Sequence, residues 1–271
     1  FHCTVHPTSV LSSSSSLEVA FGILMQALGG YTIDPLELAK LCQRAENEVV
    51  GVNCGILDQY SSVFGEEHKV LALDCRHLTH KYVNYPNSLR TVICNTAAPR
   101  QLADSTFGEL RAHCEEAAAY FSSVDSSMRT LRDVPIDCFH EHEAALPEIV
   151  AKRARFIIEE HARVGTIQQA LESDNRDAIR SITAQSFAGA RDLYQICIPA
   201  MESMMNSMLD APGVVGARQA GAGFGGCMVA FVERDKVDDF ATSVEQSYSN
   251  ASGLQPEIYI SSTSPGAGGL G

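Results

Sequence analysis

No apolar run in this chain approaches the roughly 18 residues that a membrane-spanning helix needs, so no membrane partner is expected. The opening FHCTVHPTSV lacks the basic-then-apolar pattern of a signal peptide, and it lacks an initiator methionine. The second absence leads us to expect a piece of a longer chain. Positive charge is scarce: 20 Lys and Arg face 33 Asp and Glu, for a net charge of -13. That balance argues against nucleic acid or an anionic membrane surface as the main partner. It does not exclude a phosphorylated small ligand, which a helix N-terminus can hold inside an acidic protein. There is no CxxC pair among the nine cysteines, an odd number, which reads as reduced thiols in a cytoplasmic chain. No internal repeat is found.

What is present is ordinary globular composition, 45% hydrophobic and 20% charged, over 271 residues, enough for one large domain or two modest ones. Leu17, Phe21, Leu24 and Leu28 recur at helical spacing and predict a helix over 14–28 with those residues on one face. Asp34 before Pro35 marks the cap of a second helix through Leu38, Leu41, Cys42 and Ala45. VVGVNCGILDQYSSVFG has no sustained period and reads as a loop entering a short helix, followed by a strand over Lys69–Asp74. The polar stretch YVNYPNS is the candidate boundary between domains of 1–87 and 88–271. Beyond it come a strand over 90–96 and helical patterns over 102–121, 143–162, 166–171 and 174–208, the last in two or three pieces. The end alternates: strand VVGARQA, strand CMVAFV, a helix through Val237, Phe240 and Val244, and strand EIYISS. The order predicts an antiparallel sheet backed by helices, and the glycine-rich tail SPGAGGLG is expected to be disordered.

Three stretches carry candidate chemistry. Ser12, Ser13, Ser14, Ser15 and Ser16 run straight into the first helix. One hydroxyl is enough for a cap; several small hydroxyl residues there also let a phosphate approach the backbone N–H groups and a metal ion held by it. Gly221-Ala222-Gly223-Phe224-Gly225-Gly226 formally matches GxGxxG, but it leads into a strand where a dinucleotide fingerprint must open a helix. The remaining readings are a tight turn or a backbone pressed against a ligand or another loop. Glu46 is followed twelve residues later by Asp58, which lies among apolar and glycine neighbours where a carboxylate is either paired or at work.

Taken in order, "LSSSSSLEVA", "GVNCGILDQYSSVFG" and "GARQAGAGFGGCMVAFV" resemble the signature motifs of the galactokinases, members of the GHMP small-molecule kinases. Weaker matches, "NTAAPRQLADSTFGELRAHCEEA" and "RDLYQICIPAMESMM", extend the resemblance over nearly the whole chain. It implies an α+β, two-domain GHMP kinase fold: an incomplete N-terminal domain, a ferredoxin-like C-terminal domain, and an active site between them. It also implies a monomeric enzyme that phosphorylates galactose at its anomeric hydroxyl with ATP and Mg²⁺. By position, Ser12 to Ser16 would cradle the ATP phosphates, Ser14 and Glu46 would hold Mg²⁺, and Asp58 would face the anomeric hydroxyl as base or as polarising partner. Cys54, Gly55, Phe107, Gly221, Gly223 and Gly225 would lie along the sugar.

The chain also departs from the family pattern. Thr8 and Val10 stand where glycines usually precede the serines, and Ser15 replaces an alanine. Phe107 stands where a sugar-contacting tyrosine is general, which admits a related sugar such as galacturonate, arabinose or N-acetylgalactosamine. The family's first motif, GRVNLIGEHTDY, would lie upstream of Phe1, so a truncated enzyme is expected; a non-catalytic sensor of ATP and sugar is the other alternative. Cys138, His140 and His142 lack zinc spacing and read as a surface helix. Arg218 reads as a structural ion pair, and Met201, Met204, Met205 and Met208 as core.

Overall fold

The computed structural model describes residues 12–51, 54–99, 103–221 and 223–269, without the side chains of 103–106. Thr8 and Val10 lie outside the described residues. The chain forms two compact units, one of residues 1–89 with 261–271 and one of 90–260.

In the first unit, helix α1 spans Ser13–Gly29 and stops at Gly30, whose left-handed backbone (φ 66°) lets its N–H reach the Gln26 carbonyl. Helix α2, Pro35–Ala45, begins where Asp34 accepts from the Leu36 and Glu37 N–H groups, as the Asp-Pro signal predicts. The face that α1 buries is not its most apolar one. Ser15 and Val19 are buried, while Leu17, Phe21, Leu24 and Leu28 are 42–74% exposed. Close approach decides this: a Cβ at Gly22 would lie 2.6 Å from Leu38 Cδ1, so α2 can sit only against the small-residue face of α1. Val19, Leu38 and Cys42 form that core.

A π-helical turn, Glu46–Val50, follows α2, and helix α3 covers Leu57–Phe64. Strands β1 (Lys69–Asp74) and β2 (Thr79–Asn84) pair antiparallel from Lys69↔Asn84 to Asp74↔Thr79. The strand β2 runs into the polar stretch taken as the boundary. Tyr60 anchors α3 to this hairpin, its hydroxyl 2.8 Å from His80 Nδ1 and 3.2 Å from the Leu78 carbonyl it donates to. The tail, expected to be disordered, instead returns here: the Gly266 and Ala267 N–H groups donate to the Gly65 and Ser62 carbonyls, both at 2.7 Å. Only glycine fits at 266, where a Cβ would overlap the Val63 carbonyl.

The second unit contains β3 (Leu89–Asn95), then helices α4 (Ala103–Val124), α5 (Ile136–His142), α6 (Glu148–Glu172), α7 (Arg176–Gly189) and α8 (Pro199–Leu209). Strands β4 (Val214–Gln219) and β5 (Cys227–Glu233), helix α9 (Val237–Ser252) and β6 (Glu257–Ser261) complete it. The sheet order β4-β5-β3-β6, read with the element order, is a split βαββαβ arrangement of the ferredoxin-like type. The second strand pair is antiparallel, with a register shift between Val214 and Gly216. The expected break near residue 165 is absent; Gly165 sits in open space on a continuous α6. Met201, Met204, Met205 and Met208 are at most 2% exposed and fill the core under the sheet with Met228, Phe240 and Tyr248.

Candidate functional site

The site builds from the start of α1. Ser12 holds a left-handed backbone (φ 57°) and makes no side-chain cap; only its carbonyl takes part, accepting the Ser16 N–H and Oγ, each at 3.0 Å. The Ser12 side chain is therefore not a cap, and the helix opens with a run of small residues of which Ser14 is exposed and Ser15 buried. One turn on from Ser14, Glu18 lies on the same helical face.

Glu46 comes from the π-helical turn. Gly51, left-handed at φ 85°, donates its N–H to the Glu46 carbonyl at 3.0 Å and so widens the turn by one residue. Such single π turns recur at functional sites. The Glu46 side chain is 7% exposed and meets Glu18. Burial, then the hydrogen bond with Glu46, pushes the Glu18 carboxyl up to about 7, partly offset by the Gln59 amide. Gln59, fully buried in the first turn of α3, donates Nε2–H to Glu18 Oε2 at 3.3 Å. Glu46 Oε2 and Gln59 Oε1 are buried with no donor.

An orphaned, nine-tenths-buried carboxylate oxygen is costly unless a cation or proton answers it. The oxygen donors here are hard and suit a small divalent cation that keeps waters or phosphate in its remaining positions. No group of three or more His, Cys, Asp or Glu gathers among the described residues, so protein donors alone would not complete a metal shell. Glu46 with a serine hydroxyl and a phosphate therefore fits the chemistry of such an ion.

Asp58 sits half-buried in the first turn of α3, next to Gln59, with Ser61 Oγ donating to its carbonyl at 3.1 Å. Cys54 and Gly55 precede it. Cys54 is stapled on three sides: its N–H donates to Asn47 Oδ1 at 3.0 Å, its carbonyl accepts Gln43 Nε2 at 3.1 Å, and its sulfur lies 3.9 Å from Gln59 Nε2. Burial pushes the Cys54 thiol up, which keeps it neutral and makes it a poor nucleophile. A Cβ at Gly55 would meet nothing within 4 Å, so packing does not require that glycine.

In the second unit the glycine-rich loop joins β4 to β5 as a hairpin, which excludes the dinucleotide reading. Gly221, Gly223, Phe224, Gly225 and Gly226 all have positive φ. Gly223 is pressed on the chain itself: its Cβ would lie 2.6 Å from the Ile196 carbonyl oxygen, which accepts the Phe224 N–H at 2.8 Å. Gly225 N–H points at Met201 Sδ at 3.3 Å. Gly221 is exposed with open space around it. Phe107 is exposed on α4.

Glu18 and Gln59 escaped the sequence reading. The signal for Glu18 was an acid between Leu17 and Val19 in an apolar helix. Arg218 does pair structurally, with Glu160 at 3.0 Å. His140 and His142 lie on α5 as expected, His142 against the Tyr120 hydroxyl at 3.1 Å and His140 near Glu143. None of the eight described cysteines forms a disulfide. No described helix is long and apolar enough to cross a membrane.

Comparison with known proteins bears on the family of the chain. Residues 1–66 match the GHMP kinases N terminal domain and residues 167–250 the GHMP kinases C terminal domain. The chain is 38% identical over 258 residues to a galactokinase of Roseiflexus sp. (strain RS-1), covering 95% of this chain and 66% of that protein. It is 34% identical over 273 residues to a galactokinase of Clostridium beijerinckii, covering 100% and 70%. The structure of Lactococcus lactis galactokinase complexed with galactose superposes at a TM-score of 0.90 and 32% identity, over 98% of this chain and 69% of that one. An L. major mevalonate kinase, 14% identical at a TM-score of 0.64 over 97% and 68% of the two chains, shares the fold alone. The chain thus spans about two thirds of the length of the relatives it matches.

Proposed function

The chain belongs to the galactokinase family of GHMP kinases, and from that membership we propose that it works in the ATP-dependent phosphorylation of galactose at the anomeric hydroxyl. The observation that carries the reading is the first unit's polar cluster. Glu46 presents a buried oxygen without a donor, the Ser12 side chain at the head of α1 makes no cap, and Asp58 lies beside the Gln59 that the cluster holds.

In this scheme the backbone N–H groups and hydroxyls of Ser12 to Ser16 hold the phosphates at the positive end of α1. Ser14 and Glu46 hold Mg²⁺, which when bound neutralises charge on the transferring phosphoryl group. Asp58 accepts the hydrogen bond of the anomeric hydroxyl and orients its oxygen for in-line attack. The sugar oxygen bonds to the γ-phosphorus as the bond to the ADP oxygen breaks, and the hydroxyl proton passes to Asp58 or on to solvent. Cys54 and Gly55 of the first unit are proposed as sugar-side residues by their place next to Asp58; Phe107, Gly221, Gly223 and Gly225 of the second unit are proposed as such on the family resemblance alone. Action in the cytoplasm accords with the free thiols of the described cysteines, and a monomer is proposed on the family resemblance alone.

Asp58→Ala should lower kcat for galactose by about 100-fold or more, while galactose binding in calorimetry persists. Undiminished phosphorylation in a coupled ADP assay would refute the role of Asp58. Phe107 offers a ring without the hydroxyl of a tyrosine, so the same assay run over galacturonate, arabinose and N-acetylgalactosamine decides the acceptor.

A further inference from the structure

The helix that carries Asp58 starts without a cap of its own. The N-cap of α3 is Ile56, whose side chain has no acceptor, and the helix has no side-chain cap hydrogen bond. Packing does not fix the approach to it either, since a Cβ on Gly55 would meet nothing within 4 Å. The chain is held one residue earlier, at Cys54. Its N–H donates to Asn47 Oδ1 at 3.0 Å, and its carbonyl accepts Gln43 Nε2 at 3.1 Å. The thiol also donates to Asn47 Oδ1, at 3.5 Å. Gln43 and Asn47 stand four residues apart where α2 runs into the π-helical turn, so they share one face and together take both backbone polar groups of a single residue.

Solvation of the backbone does not require this. Cys54 is only half-buried, and water can satisfy an N–H and a carbonyl in a chain at that depth. Two amide side chains give up rotamer freedom to do it instead, and what they supply that water does not is a fixed place. Only Gly55 stands between this clamp and Ile56, which is buried against Ala39 and Tyr60 and whose carbonyl accepts the Tyr60 N–H at 2.9 Å. Burial of an apolar side chain is non-directional and leaves the first turn free to rock about Ile56. The two hydrogen bonds to Cys54 are directional and remove that freedom. Asp58, the second residue of α3, turns with whatever its first turn does.

We propose that Gln43 and Asn47 are positioning residues: by clamping the backbone of Cys54 they set the angle at which α3 presents Asp58 to the anomeric hydroxyl. The inference rests on the phosphotransfer reading, in which Asp58 meets that hydroxyl. Both amides act through the backbone and are uncharged, so the clamp holds at any pH at which the chain is folded. A plain staple between α2 and α3 would cost stability when cut and leave the chemistry intact. A positioning clamp costs turnover, and it costs turnover only while Asp58 is there to be aimed.

The test is steady-state kinetics of the purified protein with galactose and MgATP for Asn47→Leu and Gln43→Met, side chains of similar size without an amide, each alone and combined with Asp58→Ala. Each single variant should lower kcat about 10–100-fold, with KM for galactose within about threefold of the parent. In the Asp58→Ala background either substitution should cost less than about threefold more, because its effect runs through a side chain already gone. Hydrogen–deuterium exchange at residues 55–60, recorded well below each melting point, should quicken about tenfold in both variants, and it is readable at any level of turnover. If Asn47→Leu prevents folding, Gln43→Met cuts the same clamp from α2 and decides. A parent-like kcat overturns the proposal, as does unchanged exchange or a loss that multiplies in full with that of Asp58→Ala. An Asp58→Ala protein that phosphorylates galactose like the parent is a different result: it fails the phosphotransfer reading, and this inference falls with it.

Discussion

Replacing Gly223 by alanine separates two uses of a glycine in the β4–β5 loop. Its backbone is left-handed at φ 80°, a conformation that costs an alanine about 1–2 kcal/mol. The new Cβ would also lie 2.6 Å from the Ile196 carbonyl oxygen, below any normal contact, and that carbonyl is backbone with no rotamer to change. Relief requires the loop to lift, which gives up the Phe224 N–H to Ile196 hydrogen bond and adds about 1 kcal/mol. The sum is about 2–3 kcal/mol, or roughly 4–12 °C in melting temperature for a chain of this size. Gly221→Ala is the matched control. It pays the backbone cost at φ 67° but meets nothing within 4 Å, so a loss of about 1–2 kcal/mol is expected. Thermal unfolding followed by circular dichroism, with no ligand added, reads both. A Gly223→Ala protein that melts with the parent would show that the glycine is not there for the chain's own packing, and would break the reasoning from Ile196.

Two further outcomes follow from the first unit. The Glu18 carboxyl is pushed up to about 7 from an ordinary 4.5, so the folded chain binds this proton more tightly than the unfolded chain does. That stabilisation is whole below about pH 4.5, falls as pH rises, and is gone above about pH 7; its ceiling is roughly 3 kcal/mol, reduced to about 1–2 by partial solvent access. Urea unfolding of the cation-free protein between pH 4.5 and 7.5 should show this slope in the parent and a flatter one in Glu18→Gln; equal slopes would remove Glu18 as its source. Gly266→Ala should detach the tail from α3, because its Cβ overlaps the Val63 carbonyl, at a cost of about 1–3 kcal/mol. Faster limited proteolysis after Gly65 or within the tail checks this, and an unchanged digestion pattern would contradict it.

Periodicity found most elements because each is decided locally. Asp34 with Pro35 starts α2, short runs set between turn residues mark β4, β5 and β6, and the methionines of α8 point inward at the spacing that predicted a core. Errors appear where a distant partner chooses. For α1 the helical period was right, yet the apolar face of Leu17, Phe21, Leu24 and Leu28 is not the buried one, and Gly22 leaves room for Leu38 on another. The strand β2 was hidden because only Val83 of its six residues is buried, which leaves no alternation to read. The tail looked disordered because its glycines carry no hydrophobic signal; their value lies in the space they leave beside Val63 and Gly65, which no local pattern records.

The candidate site shows the same division. Ser14, Glu46 and Asp58 were legible as members of motifs, each identifiable within a stretch of about ten residues. What fixes them was not, because the fixing groups belong to other stretches: Gln59 reaches back 41 residues to Glu18, and Asn47 reaches forward seven to Cys54. Glutamine and asparagine are usually surface residues, and a glutamate inside an apolar helix is usually a solvated one, so composition gives them no weight. Their burial changes that. An amide donor fully excluded from water has few partners to choose among: without Gln59 the two carboxyls of Glu18 and Glu46 lose their donor, and without Glu18 the buried Gln59 N–H loses its acceptor. Removal of Gln59 or Glu18 should therefore register at Glu46, two helices away in sequence, before it registers in the hydrophobic core formed by Val19, Leu38 and Cys42.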